Sequence, residues 1–156
     1  MKVLIMRHGE AVGLGAIAVD AHRYLTDHGR QTTSRVGAVL RDLGHVPTHL
    51  YTSPLVRAVQ TAELVAAALG HGGPIPSLPP LRPGGDVSHA LGILDHHGPD
   101  DVVGLVSHEP TVSAMASQLM GIRYSGFPTS GVAVFEGNAR GASLLGRLDP
   151  VSLRFG

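Results

Sequence analysis

Two apolar runs dominate the polar and apolar pattern of this chain. Val3-Leu4-Ile5-Met6 ends abruptly in Arg7-His8-Gly9-Glu10, and Asp101–Ser107 (DVVGLVS) ends in His108-Glu109-Pro110. Short apolar runs that stop at turn residues read as strands buried on both faces. Thr48–Thr52 (THLYT) is a third, β-favouring stretch, and Gly131–Glu136 and Ala142–Leu148 are weaker strand candidates. Between the strands, apolar residues recur at helical spacing. Val36, Val39, Leu40 and Leu43 follow a Thr26 N-cap and stop at Gly44. Leu64, Val65 and Leu69 follow Ser53 as N-cap, with Pro54 at the first helical position, and stop at Gly70. Val87, Leu91 and Leu94 follow an Asp86 N-cap, with His96, His97 and Gly98 closing the helix. Met115, Leu119 and Met120 follow Pro110 and stop at Gly121. These caps and stops fit known helix-end chemistry. Gly9–Tyr24 and His71–Gly85 read as loops, the latter carrying a short strand at Ile75–Leu78.

Alternating strands and helices predict an α/β fold: a three-layer α/β/α arrangement around a mainly parallel central sheet with right-handed crossovers. The length of 156 residues predicts one domain, residues 1–156. A formal charge of zero argues against nucleic-acid and membrane-surface partners. The chain has no cysteine, which excludes disulfides, thiolate metal sites and cysteine nucleophiles. Arg7, His8 and Glu10 interrupt the amino terminus before it reaches signal-peptide length, and no run approaches about 20 apolar residues. A cytoplasmic protein is expected.

The strand exits carry the chemistry. Ligands of open α/β sheets bind beyond the carboxyl ends of the strands. Arg7 and His8 leave the first strand there, and His108 leaves another. Arg57 sits in the first turn of a helix, where backbone N–H groups already favour an anion. Two arginines offer forked donors to phosphate oxygens, and two histidines offer a nucleophile and a further donor. That set suits phosphoryl transfer through a phosphohistidine.

The sequence resembles the histidine phosphatase superfamily, the phosphoglycerate mutase-like group. The residues that carry the likeness are Arg7-His8-Gly9-Glu10, Leu25-Thr26 with Gly29, Ser53-Pro54-Leu55 with Arg57-Ala58 and Gln60-Thr61-Ala62, and Ser107-His108-Glu109-Pro110. The short length, the Asp20…Arg23…Leu25-Thr26 stretch and Leu81–Asp86 resemble its SixA-like phosphohistidine phosphatase branch. The resemblance implies that His8 attacks phosphorus. It also implies that Arg7 and Arg57 hold the non-bridging oxygens, that His108 adds a hydrogen bond and positive charge, and that Ser53 supports the site through its cap. His8 must be unprotonated at the attacking nitrogen, with its other nitrogen expected to donate to a nearby backbone carbonyl.

Members of the superfamily that release an alcohol usually carry a glutamate acid after the third strand, but Leu78–Pro83 here holds no carboxylate. General acid catalysis contributes roughly 10²–10⁴-fold, and an alkoxide needs it more than an imidazole does. The expected substrate is therefore phosphohistidine in a protein, such as a histidine phosphotransfer domain. The alternatives are a small phosphate ester, with a broad phosphomonoesterase activity, or a non-catalytic phosphate-binding module. Asp86, Glu10 and Glu109 are the candidate acids, and Arg23 and Arg82 the candidate basic rim. Short loops leave little chain for a lid, so an open site is expected. No cofactor and no metal are expected. His96 and His97 diverge by about 100° on a helix, and His45, His49 and His71 read as surface residues. His22, His28 and His89 read as solvated.

Overall fold

The computed structural model describes every residue from Met1 to Gly156. Its strands are β1 (Lys2–Arg7), β2 (His49–Thr52), β3 (Val102–Ser107), β4 (Val132–Asn138) and β5 (Gly141–Leu148). Its helices are α1 (Asp27–Asp42), α2 (Val56–Leu69), α3 (Val87–Leu91) and α4 (Thr111–Met120), with 3-10 turns at Asp20–His22, Pro79–Leu81 and Gly92–His96. The sheet order is β2-β3-β1-β4-β5. β2, β3 and β1 pair in parallel, and β4 is antiparallel to both β1 and β5. Four of the five strands therefore point the same way and β4 alone is reversed. The expected α/β architecture holds.

Strand periodicity explains the three layers. Along β1, Val3 and Ile5 join one core, where Leu91, Leu94, Met115 and Leu119 come from the α3–α4 side. Leu4 and Met6 join the other core, with Val36 and Leu40 of α1 and Ala62 and Val65 of α2. Successive side chains of a strand face opposite ways, so a strand covered on both faces must be apolar throughout. That requirement makes the Val3–Met6 run uninterrupted. No helix is long and apolar enough to cross a membrane.

Two sequence expectations are corrected. Helix α2 begins at Val56 with Leu55 at its cap, rather than with Ser53 as cap and Pro54 inside. The Ser53 hydroxyl meets His108 (2.7 Å) and accepts from the N–H of the cap residue Leu55 (3.3 Å), one step before the helix itself. Ile75–Leu78 makes only a single bridge, Thr52 to Ser77. Its two hydrogen bonds run from Thr52 N to Pro76 O and from Leu78 N to Thr52 O (3.1 and 2.8 Å). Proline has no N–H to donate, and Pro74, Pro76, Pro79 and Pro80 prevent the ladder from growing.

The start of α1 is pressed against the exit of β1. Thr26 caps α1 by accepting from Gly29 N (2.9 Å), and its own N–H donates to Glu10 O (3.0 Å). A Cβ on Gly29 would overlap the Glu10 carbonyl, and one on Gly9 would lie 2.6 Å from Thr33 Oγ1. The Leu-Thr…Gly stretch thus clamps the backbone that follows His8. Gly29→Ala is expected to destabilise the fold by about 1–3 kcal/mol, since the opposing atom is backbone and cannot yield cheaply. Chemical denaturation of the variant beside wild type measures this.

Candidate active site

Adjacency of β2, β3 and β1 brings three strand exits to one edge. The exits are tied together by backbone, with His8 N donating to Ser107 O and Ser53 N to Val106 O (both 2.9 Å). His8 and His108 therefore face each other, ring centroids 5.0 Å apart and planes tilted by 53°. Both are buried, at 7% and 1% exposure.

Each imidazole has one nitrogen assigned by its neighbour. His8 Nδ1 lies 2.7 Å from Gly9 O. A carbonyl only accepts, so Nδ1 carries the proton and Nε2 presents a bare lone pair. This is the tautomer expected for a nucleophile. Burial pushes the His8 pKa down to about 4, against the pull of the Gly9 bond, and the charges of Arg57, Arg7 and Arg23 lower it further. The ring is neutral at physiological pH. Gly9 itself is fixed by donating its N–H to Thr61 Oγ1 (2.9 Å), whose hydroxyl donates to Arg57 O (2.7 Å).

His108 Nε2 lies 2.7 Å from Ser53 Oγ, which also accepts from Leu55 N (3.3 Å). With Ser53 Oγ partnering Nε2, Nδ1 is the His108 nitrogen left without a partner, and it is a donor when the Ser53 hydroxyl gives its proton to Nε2. Burial, followed by His8, Arg57 and Arg7, lowers the His108 pKa to about 3, with Asp20 acting in the opposite sense. His108 is therefore a neutral donor here. The expected positive charge on it is corrected: two guanidinium groups and a desolvated pocket do not tolerate a third cation.

The arginines are braced at one end and free at the other. Arg7 Nη1 donates to Phe127 O (2.9 Å). Arg57 Nη1 donates to Asp20 O (2.9 Å) and Nη2 to Asp20 Oδ2 (3.2 Å). Five buried side-chain polar atoms in the molecule have no hydrogen-bond partner, and three of them are Arg7 Nε, Arg57 Nε and His108 Nδ1. Buried polar atoms are nearly always paired, so unpaired donors on neighbouring side chains mark a place for an acceptor ligand. These donors beside a bare imidazole nitrogen suit a tetrahedral oxyanion.

The candidate acids are engaged elsewhere. Asp86 is exposed and caps α3 by accepting from His89 N (2.9 Å). The Ser113 hydroxyl donates its one proton to the Glu109 carboxylate, whose two oxygens lie 2.8 and 3.0 Å away. Glu10 points to solvent, 3.7 Å from His28 Nε2. Arg82 folds back onto Pro79 O (3.0 Å) and, with Asp86, lines a cavity of about 710 Å³ that includes neither His8 nor His108. Arg23 does reach the rim. It donates to Val12 O (2.6 Å) and to Asp20 Oδ1 (3.0 Å). Asp20 is the site residue that sequence reasoning left without a role. Its carboxyl, held below the usual range first by Arg23 and then by Arg57, bridges the two arginines. The Asp20…Arg23 spacing, a same-side pair on a short turn, was the available signal. His49, read as a surface residue, and His97, read as closing a helix, come together: their ring centroids lie 4.3 Å apart, beside Asp101, at the other end of the sheet.

An α/β fold with two arginines and two histidines gathered at the strand exits has the makings of a phosphoryl-handling protein. Residues 3–82 match the model of the histidine phosphatase superfamily (branch 1). Phosphohistidine phosphatase SixA of Escherichia coli K12 is 35% identical over 122 residues, covering 76% of this chain and 74% of that protein. A solved structure of the protein histidine phosphatase SixA complexed with tungstate superposes with a TM-score of 0.89 at 28% identity. It covers 99% of this chain and 100% of that one. The mitochondrial serine/threonine-protein phosphatase Pgam5 of Drosophila grimshawi is 30% identical over 92 residues, 51% of this chain and 31% of that protein. The chain belongs to the histidine phosphatase superfamily and is SixA-like within it, a phosphatase of the hydrolase class.

The two depressed imidazole pKa values make stability depend on pH. Above about pH 6.5 the rings are neutral folded or unfolded. Between 6.5 and about 4 the unfolded chain binds protons that folded His8 refuses, so stability falls as pH falls. Denaturant midpoints are expected to drop across that window in wild type, and less steeply in His8→Ala. An unchanged slope in the variant counts against the assignment.

Proposed function

We propose that this chain is a phosphohistidine phosphatase acting on a phosphorylated protein, with His8 as nucleophile. The observation that carries the reading is the set of unpaired buried donors, Arg7 Nε, Arg57 Nε and His108 Nδ1, beside the neutral His8 whose Nδ1 is tied to Gly9. His8 Nε2 attacks phosphorus in line. The N–P bond of the substrate breaks, and the departing imidazole takes a proton from water. A second water then attacks phosphorus, the bond to His8 Nε2 breaks, and the proton this water loses neutralises the hydroxide left by the first, releasing inorganic phosphate and restoring His8. Arg7 and Arg57 hold the non-bridging oxygens, and His108 donates from Nδ1. The catalytic power lies in positioning and charge stabilisation, which phosphoryl transfer demands.

The substrate class rests on the leaving group. Asp86 caps a helix, Glu109 pairs with Ser113 and Glu10 turns to solvent beside His28, an arrangement that disfavours alkoxide departure and suits an imidazole. The likeness to SixA supports the same class.

Incubation with a phosphorylated histidine phosphotransfer domain is expected to release phosphate and to label wild type with acid-labile phosphate, but not His8→Ala. Efficient turnover of small phosphate esters with no turnover of the phosphoprotein overturns the substrate assignment. Absence of any label in wild type overturns the nucleophile.

Ser53→Ala is expected to lower kcat about tenfold by freeing the His108 ring, an effect of the size seen when an orienting partner is lost. Ser53→Thr, which keeps the hydroxyl, is expected to retain most activity. Steady-state kinetics of the pair test the positioning role.

A further inference from the structure

We propose that His49, His97 and Asp101 form a binding site for a divalent zinc-type ion at the end of the sheet opposite His8. His49 opens β2, Asp101 immediately precedes β3, and His97 follows the Gly92–His96 turn. Parallel pairing of β2 with β3, His49 opposite Val103, brings the two strand starts together. One ligand atom from each residue lies within 4.8 Å of those of the other two. Tetrahedral zinc with ligands at about 2.0–2.3 Å needs its donor atoms roughly 3.3–3.7 Å apart. Small side-chain rotations close that difference.

The surroundings are those of a ligand set rather than of scattered surface groups. The His97 side chain is only 7% exposed. Its Nε2 lies 2.8 Å from the Tyr51 hydroxyl, which can accept its proton and leave Nδ1 as a bare lone pair. That Nδ1 faces Asp101 Oδ2 at 3.5 Å, beyond a normal hydrogen bond. Gly98 N donates to the same Oδ2 (2.9 Å), orienting the carboxylate. His49 Nδ1 stands 3.9 Å from Asp101 Oδ1. An outer partner that fixes the tautomer of a ligating histidine is a recurring feature of metal sites. Two imidazoles and one carboxylate favour zinc-type ions over magnesium or calcium, which prefer oxygen alone. Three protein ligands leave a fourth position to water. The ion pins the connection before β3 to the start of β2, and it takes no part in phosphoryl transfer at the opposite edge. The proposal is independent of the substrate reading.

The test is a titration of Zn²⁺ into untagged, chelator-stripped full-length protein at neutral pH, followed by calorimetry and by NMR of the histidine ring nitrogens. One ion per chain is expected, with ring-nitrogen shifts at His49 and His97. His49→Ala and Asp101→Asn are expected to weaken binding at least tenfold, and Tyr51→Phe about tenfold. His8→Ala is expected to keep the full stoichiometry. No one-to-one binding, or binding undiminished in His49→Ala, overturns the site and leaves a histidine–carboxylate ion pair. Ring-nitrogen shifts confined to His8 and His108 overturn it equally. The NMR readout on wild type decides the matter even where a variant fails to fold.

Discussion

Two guanidinium groups lie at one sheet edge with a nitrogen of each buried and unpaired. The rest of the site is built around that cost. An unpaired buried donor is unfavourable until an acceptor arrives, so the protein spends other contacts to keep the two arginines in place. Phe127 O holds Arg7, and Asp20 holds Arg57 through both its carbonyl and its carboxylate. Burial, reinforced by this concentration of positive charge, keeps His8 and His108 neutral. A neutral imidazole with a lone pair facing an oxyanion pocket can attack phosphorus, and a protonated one cannot.

The motif residues that touch no ligand serve this arrangement mechanically. Thr61 links the Gly9 amide to the Arg57 carbonyl, which ties the backbone beside His8 to the backbone of Arg57. Gln60 accepts from Leu25 N (2.8 Å), fastening the loop before α1 to α2. Thr33 and Ser130 hydroxyls meet 2.9 Å apart beneath Gly9, and Ser130 N donates to His8 O (3.0 Å). Ser130 holds a left-handed conformation (φ 62°), an uncommon backbone state for a residue with a side chain. It closes the backbone around the nucleophile from the side of β4.

Much of the site could be read from the chain because its residues follow directly from the ends of strongly patterned strands. Arg7, His8 and His108 had to sit where apolar runs stop, and parallel pairing then had to gather them. Arg57 was legible through the start of its helix. For Ser53 the chain showed only the local partner: its hydroxyl accepts from Leu55 N at the start of α2, and it also meets a histidine 55 residues away. Asp20 had no periodic element to anchor it, so its contact with Arg57 was invisible. The Ile75–Leu78 strand failed because hydrophobicity cannot compensate for prolines that lack donors.

By itself the sequence determined the two-sided apolar strands, the helices between them, and hence the edge at which Arg7, His8 and His108 emerge. These follow from periodicity and from the covalent absence of donors or side chains, which act locally. Only the tertiary structure decided which partner each imidazole nitrogen meets, which arginine nitrogens stay free, and that His49, His97 and Asp101 share one corner. Those outcomes depend on partners far apart in the chain and on how completely each group is removed from water, and neither is written in any local stretch.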